Sequence, residues 1–213
     1  MTQLTKHIWY ASYGSNLLEE RFLCYIRGGQ PVGSKKPYDG CRDKSLPVVK
    51  EEFYISSELY FAKESDSWDN GGVAFIKTNF EPKQSTFGRI YLITPEQFID
   101  VVKQETNGSD SLHIDFGNAI SEGSLIFKDP SWYGNLIYLG IQYDYPIFTF
   151  TNKINLTPTT KPSTQYLKTI ISGIQEAFGN LNTFEILDYL ISKEGIKENY
   201  SREELILIIE VKT

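Results

Sequence analysis

The chain has 213 residues, with 27 Asp and Glu against 21 Lys and Arg and a formal charge of −6. That length suits one well-packed domain and is short for two, and the acidic balance argues against duplex nucleic acid as a partner, because neutralising phosphates needs clustered positive charge. The two cysteines, Cys24 and Cys41, have no metal-ligand spacing and suggest neither a disulfide framework nor a zinc site; with no charged-then-apolar leader and no apolar run near ~18 residues, the expectation is a soluble cytoplasmic protein without membrane contact.

In chain order, Ile8 to Ser12 reads as a strand and Leu17 to Ile26 as a helix, joined by Tyr13-Gly14-Ser15-Asn16-Leu17. A strand that enters a helix through such a turn is suited to an anion, since the first helical N–H groups lack a carbonyl four residues back and the helix dipole adds positive potential. Ser15 or Asn16 is placed to cap that helix; the plain alternative is an ordinary strand-to-helix connection. Arg27 to Lys50 is a long surface loop rich in Gly, Pro, Lys, Asp and Ser. Its cations, Lys35-Lys36 and the Arg42-Asp43-Lys44 run, either grip an anionic substrate or form a solvated face. Strands follow at Phe53 to Ile55, Leu59 to Ala62, Val73 to Thr78 and Gly88 to Ile93. Thr94-Pro95-Glu96-Gln97 then opens a helix, with Thr94 as cap, Pro95 at the first helical position and Gln97 reaching back, and Asn107-Gly108 stops it after about Glu105. Later strands are expected at Leu125 to Phe127, Leu136 to Tyr143 and Ile147 to Thr151. A helix begins after Pro162-Ser163, with Tyr166, Leu167, Ile170, Ile171 and Ile174 at helical spacing. The tail offers Thr183 to Ser192 and Ser201 to Val211 as short helices or a helix and a strand. Many short strands and few helices imply an α+β fold, a closed or strongly curved mixed sheet with helices packed on one side.

On the helix opened by Thr94, Phe98, Val101, Val102 and Glu105 fall at i, i+3, i+4 and i+7, which is one face. Glu105 therefore shares the apolar side, and a carboxylate there must be partly desolvated, paired, or facing a cavity. The plain alternative is a fraying last turn that lets it reach water. Asp100 and Lys103 read as solvent-side residues, and Glu96, at the helix start, and Asp100 are weaker candidate acids. Ser15 has no oriented base in sequence, since His7 and His113 are not placed near it and the Gly-x-Ser-x-Gly elbow is missing. Cys41, beside Arg42, is either a reactive thiol or a plain small side chain. Trp68 and Trp132 read as core or rim, and Gly71-Gly72 as a turn or close backbone approach. Tyr13 either lines a pocket or is a core tyrosine with a satisfied hydroxyl.

Three stretches in order resemble the γ-glutamylcyclotransferase-like family: Tyr13 to Leu17, Gly88 to Thr94 running into the helix that carries Glu105, and Pro162-Ser163-Thr164-Gln165-Tyr166-Leu167 followed by Gly173. The likeness covers roughly Ile8 to Phe178. It is nearest to a bacterial subgroup that shares the Tyr13 loop, the run Arg21-Phe22-Leu23-Cys24-Tyr25-Ile26 and Gly40-Cys41-Arg42-Asp43. The resemblance implies a small β-barrel flanked by helices over 1–178, with 179–213 as an extension packed on the same domain. It makes Glu105 the catalytic carboxylate and Tyr13, Gly14, Ser15, Asn16 and Leu17 the substrate-binding loop, with a small-molecule γ-glutamyl substrate and no metal or organic cofactor. The activity implied is release of 5-oxoproline from a γ-glutamyl amine or amide. Where the family commonly has Gly after the glutamate, this chain has Thr106, and with the Arg27 to Lys50 insertion that keeps open a non-catalytic small-molecule-binding protein with the same fold and pocket. A related lyase or acyl transfer on a modified lysine or amine would use the same pocket.

Overall fold

A computed structural model describes residues 6–32, 37–106, 108 and 112–210. Lys35, Lys36, Asn107 and Val211 lie outside the described residues. The elements run β1 (Ile8–Ser12), α1 (Glu19–Arg27), β2 (Lys50–Ile55), β3 (Leu59–Ser65), β4 (Gly71–Ile76), β5 (Thr86–Ile93), α2 (Pro95–Thr106), α3 (Phe116–Glu122), β6 (Ser124–Ile126), β7 (Asn135–Gln142), β8 (Tyr145–Thr151), α4 (Thr164–Ala177), α5 (Thr183–Ile191) and α6 (Arg202–Glu210). Helix α3 is the element that periodicity does not reveal. It is seven residues long and contains Gly117, and it forms because Asp115 accepts from the Asn118 N–H at 3.0 Å while Phe116 and Ala119 bury.

Six strands form one mixed sheet in the order β2-β5-β1-β8-β7-β6, with β1 antiparallel to β5 and parallel to β8, and β3-β4 form a separate two-stranded ribbon. The expected closed barrel is not made by ladders among the described residues. The outward carbonyls of β4 are taken by side chains instead of a strand: Tyr133 Oη donates to Ala74 O at 3.0 Å and Thr151 Oγ1 to Ile76 O at 2.9 Å.

The expectation of helices on one side is corrected, because both faces of the central strands are apolar and both need cover. Every residue of β1 is buried. Ile8 and Tyr10, with Tyr91 and Ile93 of β5, face a core made with α1, α2 and α3, whereas Trp9, Ala11, Ile90 and Leu92 face a second core made with the ribbon and α4, α5 and α6. The sheet is a middle layer between the two cores.

Helix α2 starts as its sequence requires. Thr94 N donates to Gln97 Oε1 at 3.0 Å and Gln97 N to Thr94 Oγ1 at 3.1 Å, a reciprocal capping box. Phe98, Val101 and Val102 are fully buried, each contributing about 1.5–3 kcal/mol of transfer free energy. That seam fixes the rotation of α2 and therefore where Glu105, one turn further, points. Ser163 likewise caps α4, accepting from Tyr166 N at 3.2 Å.

Candidate functional site

The Tyr13 loop is a single turn of 3-10 helix, Ser15–Leu17, and α1 begins only at Glu19. Neither Ser15 nor Asn16 caps a helix, contrary to expectation: the residues preceding the two helical segments are Gly14 and Leu18, neither of which makes a side-chain cap. The loop is held by its neighbours instead. Tyr91 Oη donates to Asn16 O at 3.0 Å, and Arg89 Nη1 donates to Leu17 O at 3.0 Å while pairing with Glu176 at 2.7 Å. Gly173 of α4 gives the loop room, since a Cβ there would lie 2.5 Å from Leu17 Cβ and from Leu18 N. A Cβ at Gly14 would lie 3.1 Å from Tyr166 Oη, a tight contact with the end of a side chain.

Freed from capping, the Asn16 side chain turns inward. Its Nδ2 donates to Glu105 Oε1 at 3.1 Å and to Tyr10 Oη at 3.3 Å. The acid from α2 and the loop after β1 thus face one cleft of about 890 Å³, which Tyr13, Gly14, Ser15 and Asn16 also line. Leu17 does not line it; fully buried, it packs in the core under the turn. Tyr13 combines both of its sequence readings, lining the cleft while its hydroxyl donates to Phe150 O at 2.7 Å.

Glu105 is only partly exposed, and burial raises its carboxyl above the ordinary glutamate range. A hydrogen bond from Tyr25, the charge of Arg21 and the Asn16 amide all pull the other way without overcoming desolvation. Tyr25 Oη and Tyr38 Oη are 2.7 Å apart, and Arg21 Nη2 donates to Tyr38 Oη at 3.1 Å. A guanidinium only donates, so Tyr38 accepts from Arg21 and can pass its own proton toward Tyr25, leaving the Tyr25 proton for Glu105. Tyr10, Tyr25 and Tyr166 are held as neutral phenols, mainly by burial and further by the charge of Glu105. Tyr166 Oη accepts from Ala74 N at 3.2 Å and engages the Ser15 backbone N–H.

Asp100 is corrected from solvent-side to buried. The loop after Gly40 folds over that face, so that Arg42 Nε lies 3.0 Å from Asp100 Oδ2 and the Arg42 backbone N–H donates to it at 3.0 Å, with Lys103 Nζ at 3.8 Å. Glu96 is exposed at the helix start. Cys41 is a packed core side chain, its thiol pushed up to about 12 by burial, which removes the case for a reactive thiolate. His7 and His113 are not among the cleft-lining residues, so Ser15 gains no base from them. Gly71 and Gly72 are close backbone approaches, where a Cβ would meet Ser163 N at 2.4 Å and Thr160 Oγ1 at 2.5 Å. Thr106 continues α2, its Oγ1 donating to Val102 O at 2.8 Å.

Sequence reasoning missed Arg21, Tyr25 and Tyr38 as parts of the site. Arg21 carries the same signal that exposed Glu105: it lies on the buried stripe of α1 with Phe22, Tyr25 and Ile26. Tyr38 sits in the long loop, and no periodicity marks it.

No family model matches the chain. It is 39% identical over 200 residues to histone deacetylase 5 of Arabidopsis thaliana, a match that covers 86% of this chain and 30% of that protein. The chain therefore spans less than a third of that curated relative's length. Among solved structures, an uncharacterized protein from Homo sapiens is 18% identical with a TM-score of 0.52, covering 95% of this chain and 99% of its own; that likeness establishes a shared fold. A γ-glutamyl cyclotransferase is 16% identical with a TM-score of 0.48, over 94% of this chain and 98% of its own.

Proposed function

We propose that the chain is a γ-glutamylcyclotransferase-like enzyme that releases 5-oxoproline from a γ-glutamyl amine or amide, with Glu105 as general base and then general acid. The observation that carries this reading is the 3.1 Å contact between the Glu105 carboxylate and Asn16 of the loop, inside one cleft. The likeness of the Tyr13, Gly88 and Pro162 segments to that family supports it independently.

The chemistry asks little of the protein. The substrate brings its own nucleophile, because its α-amino nitrogen reaches its γ-carbonyl through a five-membered ring, so most of the entropy of encounter is spent once the chain is folded back. Glu105 takes a proton from the α-ammonium. The nitrogen attacks the γ-carbonyl carbon to form the ring C–N bond, and the amide C–N bond breaks as that proton goes to the departing amine; the ring nitrogen then gives its second proton to the freed Glu105 carboxylate, which passes it to the amine so that it leaves as an ammonium. No water is consumed. A carboxyl raised toward neutrality by burial suits both transfers better than an ordinary glutamate. Negative charge on the carbonyl oxygen would be met by the loop N–H groups and neutral phenols of the cleft.

The name of the Arabidopsis protein belongs to a chain of which this one matches 30%. We ascribe no deacetylation to the present chain, since a carboxylate among tyrosines suits proton transfer within a substrate that carries its own nucleophile. The test is incubation with a panel of γ-glutamyl amines, dipeptides and γ-glutamyl-lysine, with 5-oxoproline quantified by mass spectrometry. Stoichiometric 5-oxoproline and free amine are expected; ligand-induced thermal stabilisation without product would replace catalysis by binding alone.

A further inference from the structure

The reaction derived above makes no use of Arg21. Its side chain lines the cleft from α1, and the residue is 6% exposed. The guanidinium carbon lies 4.6 Å from the centre of the Trp68 ring, and Nη2 donates to the neutral Tyr38 hydroxyl. Nε is buried and has no hydrogen-bond acceptor. Among the described residues no carboxylate lies within ion-pair distance of Arg21. Arg89 shows what this fold does with a buried guanidinium elsewhere: 3% exposed, it has the Glu176 carboxylate at 2.7 Å and the Leu17 carbonyl at 3.0 Å. A buried cation without a counter-ion is costly, and the cost falls when an anion arrives to pair with it.

A second orphan of opposite polarity lies in the same cleft. Asn16 is 4% exposed, its Nδ2 is engaged by Glu105 and Tyr10, and its Oδ1 is buried with no donor. A ligand that presents an anion together with a donor, as a zwitterionic α-amino-acid head does, satisfies both. Glu105 is no substitute for the anion, because it makes no ion pair with Arg21 and its charge reaches the guanidinium only at longer range.

We infer that Arg21 anchors the α-carboxylate of the substrate, so that the cleft selects γ-glutamyl groups whose α-carboxylate is free over those in which it is amidated or lies within a peptide. The inference rests on the proposed function and deepens it, by giving the α-carboxylate of the substrate a side-chain charge to pair with. Arginine suits the task because its planar fork matches a carboxylate and Trp68 holds that plane.

The experiment compares 5-oxoproline with uncharged 5-oxoprolinamide by isothermal calorimetry on the parent, Arg21→Gln and Arg21→Lys. The parent should bind the acid roughly 10- to 100-fold more tightly than the amide, as expected for a charge-assisted hydrogen bond. Arg21→Gln should bind the two alike, and Arg21→Lys should keep part of the preference. Retention of the full preference by Arg21→Gln overturns the inference, as does a parent that binds the two equally or binds neither. The comparison of ligands on the parent needs no variant to fold. The two readings also separate: a parent that prefers the acid but releases no 5-oxoproline from any γ-glutamyl amine keeps the Arg21 anchor and sinks catalysis. A parent that releases 5-oxoproline with a KM unchanged in Arg21→Gln keeps catalysis and sinks the anchor.

Discussion

Helix α2 carries two inward acids with opposite surroundings. Asp100 meets Arg42, the Arg42 backbone N–H and Lys103, so its charge is matched where it sits. Glu105, five residues on, meets Asn16 and Tyr25, both uncharged, with Arg21 acting only at longer range. Both are shielded from water, yet one is paired with a cation and the other has its carboxyl raised by burial above the ordinary glutamate range. What separates a fastening acid from one able to exchange protons is the supply of counter-charge, and here that supply is decided by a loop folding over one face of the helix and not the other.

The comparison breaks most visibly at Glu105. Glu105→Gln keeps the hydrogen-bonding shape and should lower 5-oxoproline release by about 10²- to 10⁴-fold, the usual share of general acid–base catalysis, as measured by steady-state rates on correctly folded protein. Its stability should move in the other direction. Because burial raises the folded-state pKa above the unfolded one, the folded chain holds that proton more tightly; the contribution of Glu105 is fully present below the ordinary glutamate value, about 4.3, and is lost as pH rises through the raised value. Glutamine has no such loss, so thermal denaturation across that window should show Glu105→Gln gaining on the parent, with the gap constant at higher pH.

Gly173→Ala comes next. The added methyl would press on Leu17 and Leu18, and overpacking of this kind costs about 1–3 kcal/mol. Because the displaced segment carries Asn16, activity should fall along with the denaturation midpoint. Asp100→Asn should cost about 1–2 kcal/mol, a charge-assisted bond discounted for the exposure of Arg42, and leave kcat close to the parent's, which urea unfolding and rate assays would read separately. A loss of kcat as severe as that of Glu105→Gln would erase the distinction between the two acids. Smallest is Tyr25→Phe: it removes a hydrogen bond that favours the ionised carboxylate, so the acid limb of the pH–rate profile should move to higher pH.

Local grammar carries much of this far. A short, continuous apolar run places β1 at Ile8–Ser12, Thr94 and Gln97 write the start of α2 into the chain, and helical spacing puts Glu105 on the face of Phe98, Val101 and Val102. What fails are statements about which surface covers which. The apolar character of Ile90 and Leu92 as well as Tyr91 and Ile93 calls for cover on both faces of the sheet, but spacing does not say that α4 to α6 and the β3-β4 ribbon provide one of them. Asp100 reads as exposed because the residues that bury it, near Arg42, are almost sixty positions away. Asn16 has the chemistry of a cap, and its actual partner, Glu105, is a long-range contact that no local rule supplies. Arg21 was within reach, since a charge on the inward stripe of α1 poses the same question as a charge on that of α2.

The most direct measurement sets two titrations side by side: the Glu105 carboxyl followed by carbon-13 NMR, assigned by its absence in Glu105→Gln, and the pH dependence of kcat/KM for 5-oxoproline release. The account predicts one ionisation, above the ordinary glutamate range, appearing in both. A Glu105 carboxyl that titrates at or below that range, or a rate profile indifferent to its protonation, would contradict it.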